Sequence, residues 1–68
     1  MKYAIVIEKS ETGLGAYAPD LPECVAVGET LEETEHLMKE AMSFHLEGFL
    51  EDGVTPPEAS SVAEYVEI

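Results

Sequence analysis

Residues 19–33 read Pro-Asp-Leu-Pro-Glu-Cys-Val-Ala-Val-Gly-Glu-Thr-Leu-Glu-Glu, and the rest of the chain organises around them. Pro19 and Pro22 bracket Asp20-Leu21, so the backbone there is extended or turned and lacks two N–H donors. A short apolar run follows, Cys24-Val25-Ala26-Val27, and Gly28 closes it. Thr30 then stands where a helix N-cap belongs, with Glu33 three residues on, the spacing of a capping box. The stretch predicts a loop, a strand, a turn and a helix start, set around a stiff acidic corner.

Toward the N-terminus, residues 2–8, Lys-Tyr-Ala-Ile-Val-Ile-Glu, are β-branched and aromatic and predict a strand. Tyr3, Ile5 and Ile7 alternate to one side and Ala4 and Val6 to the other, and this two-sided apolarity suggests a central strand. Ser10-Glu11-Thr12-Gly13 is turn chemistry, residues 14–18 return as a second strand, and the third falls at about 23–27. Toward the C-terminus a helix is expected from about Leu31 to about Asp52, with Gly53 as its C′ residue. At about 100° per residue, Leu31, Met38, Met42, His45 and Phe49 share a stripe. Thr34, Leu37 and Ala41 flank it on one side and Leu46 on the other, while Glu32, His36, Glu40, Ser43 and Glu47 face away. This apolar face is broad enough to lie across a small sheet. Gly48 interrupts the helix at a cost of roughly 1 kcal/mol relative to Ala, and permits close approach by another backbone.

Pro56-Pro57 forces an extended connection, and residues 62–67, Val-Ala-Glu-Tyr-Val-Glu, alternate as a last strand. Three meandering strands run up, down and up, the helix returns down, and the last strand runs up beside the first. The expected architecture is α+β, β-β-β-α-β, with sheet order 3-2-1-4 and one helix on one face. The opposite face is left to a partner or to solvent.

Sixty-eight residues make one domain, 1–68, with a modest core. The single cysteine, Cys24, excludes an intrachain disulfide and suits a reducing cytosol. His36 and His45, nine residues apart, make no zinc constellation, so self-association as a homo-oligomer is the expected stabiliser. Fifteen carboxylates against Lys2, Lys9 and Lys39 give a net charge of -12. Such a surface repels phosphate backbones, which argues against direct nucleic-acid binding, and it steers basic partners; solubility alone is the plainer reading. At 46% hydrophobic residues the chain is not expected to be disordered. No signal peptide or membrane span is recognisable, so the chain is expected in the cytoplasm with no membrane partner.

The opening strand Met1–Glu8, the Gly13/Gly15-Ala16-Tyr17-Ala18 return, Pro19-Asp20-Leu21-Pro22, Gly28-Glu29-Thr30-Leu31-Glu32-Glu33, Pro56-Pro57 and the short final strand follow one another in a particular order and spacing. Together they resemble the HicB family of small bacterial and archaeal antitoxins, over essentially all 68 residues. The resemblance implies a truncated RNase H-like fold, no enzymatic activity and no cofactor. It also implies as partner a HicA-type toxin, a small basic RNA-cleaving protein that uses a histidine. The sequence departs from the family at Glu23, where a glycine is usual, and at Thr34-Glu35-His36, where the helix is often Ala-rich. Many members carry a C-terminal DNA-binding segment, which these residues do not include. The chain therefore reads as a short member, without the segment on which the transcriptional autoregulation common in the family usually rests.

RNase H-type nucleases place a metal-binding carboxylate in the middle of the first strand, where this chain has Ala4-Ile5-Val6, with Glu8 only at the end. No catalytic set is expected, and a fold resemblance carries no activity. His45, within the apolar stripe, is a core or subunit-contact histidine, with a pH switch as the alternative; His36 is solvated. Cys24, beside Glu23, is better suited to burial than to nucleophilic work. The corner Asp20-Leu21-Pro22-Glu23 is either a rigid turn or a preorganised contact loop with Leu21 exposed as an anchor. The residues expected to meet a partner are Asp20, Leu21, Pro22 and Glu23, with Glu32, Glu40 and Glu47 steering it. The leading expectation is an acidic inhibitor that covers the toxin's cationic RNA surface. The alternative is a stand-alone homo-oligomeric binding or structural module with no toxin partner.

Overall fold

A computed structural model of the chain describes residues 2–68; Met1, the first residue of the expected opening strand, lies outside the described residues. Three antiparallel strands, β1 (Val6–Ser10), β2 (Gly13–Ala18) and β3 (Leu21–Gly28), form a sheet in the order β1-β2-β3, and one helix, α1 (Leu31–Glu51), returns across it. The first hairpin closes through Glu11-Thr12, and the Ser10 hydroxyl donates to the Gly13 carbonyl at 3.1 Å. Register runs Val6 opposite Tyr17 and Glu8 opposite Gly15, then Ala16 opposite Ala26 and Tyr17 opposite Val25, with an irregularity between Tyr17 and Ala18.

Strand ends follow from which neighbour exists. The first strand begins at Val6, four residues later than its composition predicts, because β2 ends at Ala18 and Pro19 then removes a donor. Residues 2–5 thus lie beyond the ladder, and among the described residues β1 pairs with β2 alone, an edge strand instead of a central one. The third strand starts two residues earlier than expected, at Leu21, and takes in Pro22. It pairs with β2 alone among the described residues, and an edge strand tolerates a residue without an N–H.

The helix matches its sequence signals. The Thr30 hydroxyl accepts from the Glu33 N–H at 3.1 Å, and the Glu33 carboxylate accepts from the Glu29 N–H at 3.2 Å, one residue ahead of the cap. At the far end Gly53 adopts φ 68° and donates to the Leu50 carbonyl, while Val54 donates to Phe49 at 2.8 Å, a Schellman motif. The helix lies over β3 and β2. Ala16, Ala18, Leu21, Cys24 and Met38 form the buried core, with Ile5, Ile7, Met42, Leu46 and Phe49 packed partly against it. Leu31, expected in the apolar stripe, is exposed, because it sits at the first helical position beyond the sheet's cover. Thr34 is fully buried instead, its hydroxyl donating to the Thr30 carbonyl at 2.7 Å.

Among the described residues no fourth strand is formed, so the sheet has the order β1-β2-β3 and not 3-2-1-4. After the helix the chain is held at two points, by Tyr3 OH donating to the Pro57 carbonyl at 2.6 Å and by Ser60 and Ser61 at the Asp20 corner. From there residues 62–68 run exposed, with Tyr65 98% accessible, and alternation without a paired neighbour makes no strand. Among the described residues no helix is long and apolar enough to cross a membrane.

Candidate partner-binding surface

The corner at residues 19–23 is assembled by the start of β3, and it does not present the residues as expected. Leu21 is 1% exposed and belongs to the core, so it is no surface anchor. Strand pairing with Ala18 sets its side chain inward, on the same side as Cys24 and Met38. Asp20 is committed to its own chain. Its carboxylate accepts from the Ser60 N–H at 2.9 Å, the Ser61 N–H at 3.0 Å, and the two serine hydroxyls at 3.2 and 2.9 Å. The Ser61 amide, foremost among these donors, holds the Asp20 carboxyl below its ordinary value, against a smaller opposing effect of desolvation. Ser60 and Ser61 carry no motif that would have marked them; the contact spans about forty residues and only the folded chain creates it.

Pro22 and Glu23 remain on the surface. The Glu23 carboxylate lies 2.9 Å from His45 Nε2, and the His45 ring meets Phe49 edge-on at 4.8 Å. His45 is therefore a flank residue that ties α1 to β3, between an apolar ring and a carboxylate. Cys24 is buried with Sγ 3.9 Å from the Ala41 carbonyl; burial first and the Glu23 charge second push its thiol up, which keeps it protonated.

Glu32, Glu40 and Glu47 are all exposed on α1, but they do not form one patch. Glu40 and Glu47 line a shallow depression with His36, Lys39, Ser43 and Phe44, and His36 pairs with Glu40. Glu32 lies eight residues earlier than Glu40, about 12 Å along the axis. Phe44 is the residue that sequence reasoning passed over. It is 79% exposed, one turn from both Glu40 and Glu47. Its signal was present: an aromatic residue at a position the helical period assigns to the polar face. Behind the sheet, Tyr17, Val25 and Val27 are exposed, since the one helix covers the other face.

A family model described as HicB_like antitoxin of bacterial toxin-antitoxin system matches residues 3–68. The chain is 42% identical over 66 residues to the "Uncharacterized 14.9 kDa protein in rep-hol intergenic region" of Haemophilus phage HP1, covering 97% of this chain and 50% of that protein. It is 32% identical over 69 residues to Antitoxin HicB 2 of Photorhabdus laumondii, covering 100% of this chain and 50% of that protein. The chain thus spans about half the length of the curated relatives it matches. A chain of the solved HicA3 and HicB3 toxin-antitoxin complex superposes with a TM-score of 0.71 at 28% identity, over 88% of this chain and 70% of that one.

Proposed function

The chain belongs to the HicB-like antitoxin family, and on that premise we propose that it binds and blocks a small, basic, RNA-cleaving toxin of HicA type. The observation that carries this reading is the match in fold and sequence to a chain of a solved toxin–antitoxin complex. Charge supports it. A domain at -12 attracts a cationic protein from a distance and repels the RNA that the toxin would otherwise hold. The chain itself is non-catalytic and needs no cofactor; it acts by covering the toxin's cationic surface and keeping RNA away from its active residue.

In this reading Glu40 and Glu47 contact the partner, Pro22 and Glu23 border the contact at the sheet end, and Glu32 contributes at longer range to steering. Asp20 serves by holding the corner's shape through Ser60 and Ser61, and Leu21 serves as core. The protein works in the cytoplasm as a homo-oligomer. Its small core and the exposed Tyr17, Val25 and Val27 favour burial of further apolar surface by self-association.

The test takes a small basic HicA-type protein, sought first in the reading frame adjacent to this chain's, and follows its cleavage of a defined RNA as the chain is titrated in. Suppression should be complete near equimolar chain. The double substitution Glu40→Lys/Glu47→Lys should restore most of the cleavage. Undiminished cleavage with the chain in tenfold excess, on the order of what a micromolar Kd would already suppress, rules the reading out.

A further inference from the structure

Two features of α1 have no explanation within the chain's own fold. The Phe44 ring stands 79% exposed on the helix's outward side, and Gly48, one turn on, weakens the helix by roughly 1 kcal/mol relative to Ala. A Cβ added at Gly48 would meet nothing within 4 Å among the described residues, so no close packing inside the molecule requires a glycine there. At about 100° per residue, Gly48 falls about 40° to one side of Phe44, and Glu40, Glu47 and Glu51 fall within about 60° on the other. The result is an aromatic ring with a bare notch along one flank and a row of carboxylates along the other.

We propose that Phe44 is the anchor through which α1 docks on the toxin: the ring enters an apolar pocket rimmed by arginine or lysine, and the Gly48 notch admits the partner's backbone or a side chain. The inference rests on the inhibitor reading above and names the residues that give it affinity. Charge decides the occupant. A second copy of this chain would bring its own Glu40, Glu47 and Glu51 to the same contact, where Lys39 is the one lysine among the described residues nearby, and like charges oppose that pairing. A basic partner reverses the sign. A guanidinium can lie over the exposed ring and donate to Glu40 or Glu47 at the same time, and desolvation strengthens both contacts. A single aromatic ring, well enclosed at the centre of a contact, commonly dominates its affinity.

The experiment is titration calorimetry of the full chain against the HicA-type toxin that the cleavage assay above identifies, with thermal unfolding of every variant. Phe44→Ala should weaken binding by about 30-fold or more. Gly48→Gln fills the notch with a good helix former; it should weaken binding by about tenfold while leaving the melting temperature unchanged or higher. Thr12→Ala, in the exposed turn of the first hairpin, should bind within about threefold of wild type. If the wild type binds and both α1 variants stay within about threefold of it, the docking face is wrong and the inhibitor reading stands. If Phe44→Ala instead dissolves a homo-oligomer at unchanged toxin affinity, the face belongs to a second copy and the proposal is overturned. If the wild type binds no toxin, the inhibitor reading fails and this proposal falls with it.

Discussion

Asp20 sits at a tight proline-flanked corner and spends its charge on the far end of the chain. Four donors from Ser60 and Ser61 converge on its two oxygens, and they favour the ionised form. Because the folded-state carboxyl lies below its ordinary value of 3.8, the clasp it makes is fully present above that value and is lost as the pH falls through the lowered one. Asp20→Asn should therefore free residues 60–68 at neutral pH, and acid should do the same in the wild type. The amides of Ser60 and Ser61 should exchange with deuterium about tenfold faster in the variant, with the helix amides unaffected. Equal exchange rates in the two proteins would show that the clasp holds nothing. Leu21, its neighbour, illustrates the opposite outcome: an apolar residue between two prolines that could have faced either way, turned inward by its pairing with Ala18.

The helix and its junction with β3 carry the strongest local demands. Gly28 ends β3 where the first turn of α1 crosses it, and a Cβ there would lie 2.5 Å from Thr34 Oγ1 and 3.0 Å from the Thr34 nitrogen. Thr34 cannot retreat, being fully buried and bonded to the Thr30 carbonyl. Gly28→Ala should consequently cost about 1–3 kcal/mol by overpacking, and Thr30→Ala about 1 kcal/mol through the lost cap, both read from urea unfolding. A Gly28→Ala protein as stable as wild type would mean that the helix start is free to shift. The strands depend less on their own residues. Residues 2–5 have strand composition and no ladder, whereas Pro22 has the wrong composition and lies within one.

At the scale of the molecule the dominant quantity is the net charge of -12 on 68 residues. Such a surface repels itself, and the repulsion opposes the compact state. Added salt shortens the screening length from about 30 Å at 0.01 M to about 8 Å at 0.15 M. The isolated chain should melt at a higher temperature in the saltier buffer, by about 4–8 °C for each kcal/mol of repulsion removed. Association with a basic partner should respond in the opposite direction and weaken over the same range. A melting temperature that falls with salt would indicate that favourable electrostatic contacts within the fold outweigh the self-repulsion.

By itself the sequence determined the helix from cap to cap, the first hairpin, the existence of three strands, the acidic outer face and the family. Each of these is encoded by neighbours a few residues apart: Thr30 with Glu33, Gly53 after the last turn, Gly13 after the first strand. Only the tertiary structure decided that β1 is an edge, that residues 62–68 stay unpaired, that Leu21 is core and Asp20 a clasp, and that Phe44 is left in solvent beside an unfilled notch. These depend on which segments meet across about forty residues of chain, as Asp20 meets Ser60 and Ser61. Local spacing fixes an element's period and its ends where caps exist; only the presence or absence of a neighbour fixes what each face covers.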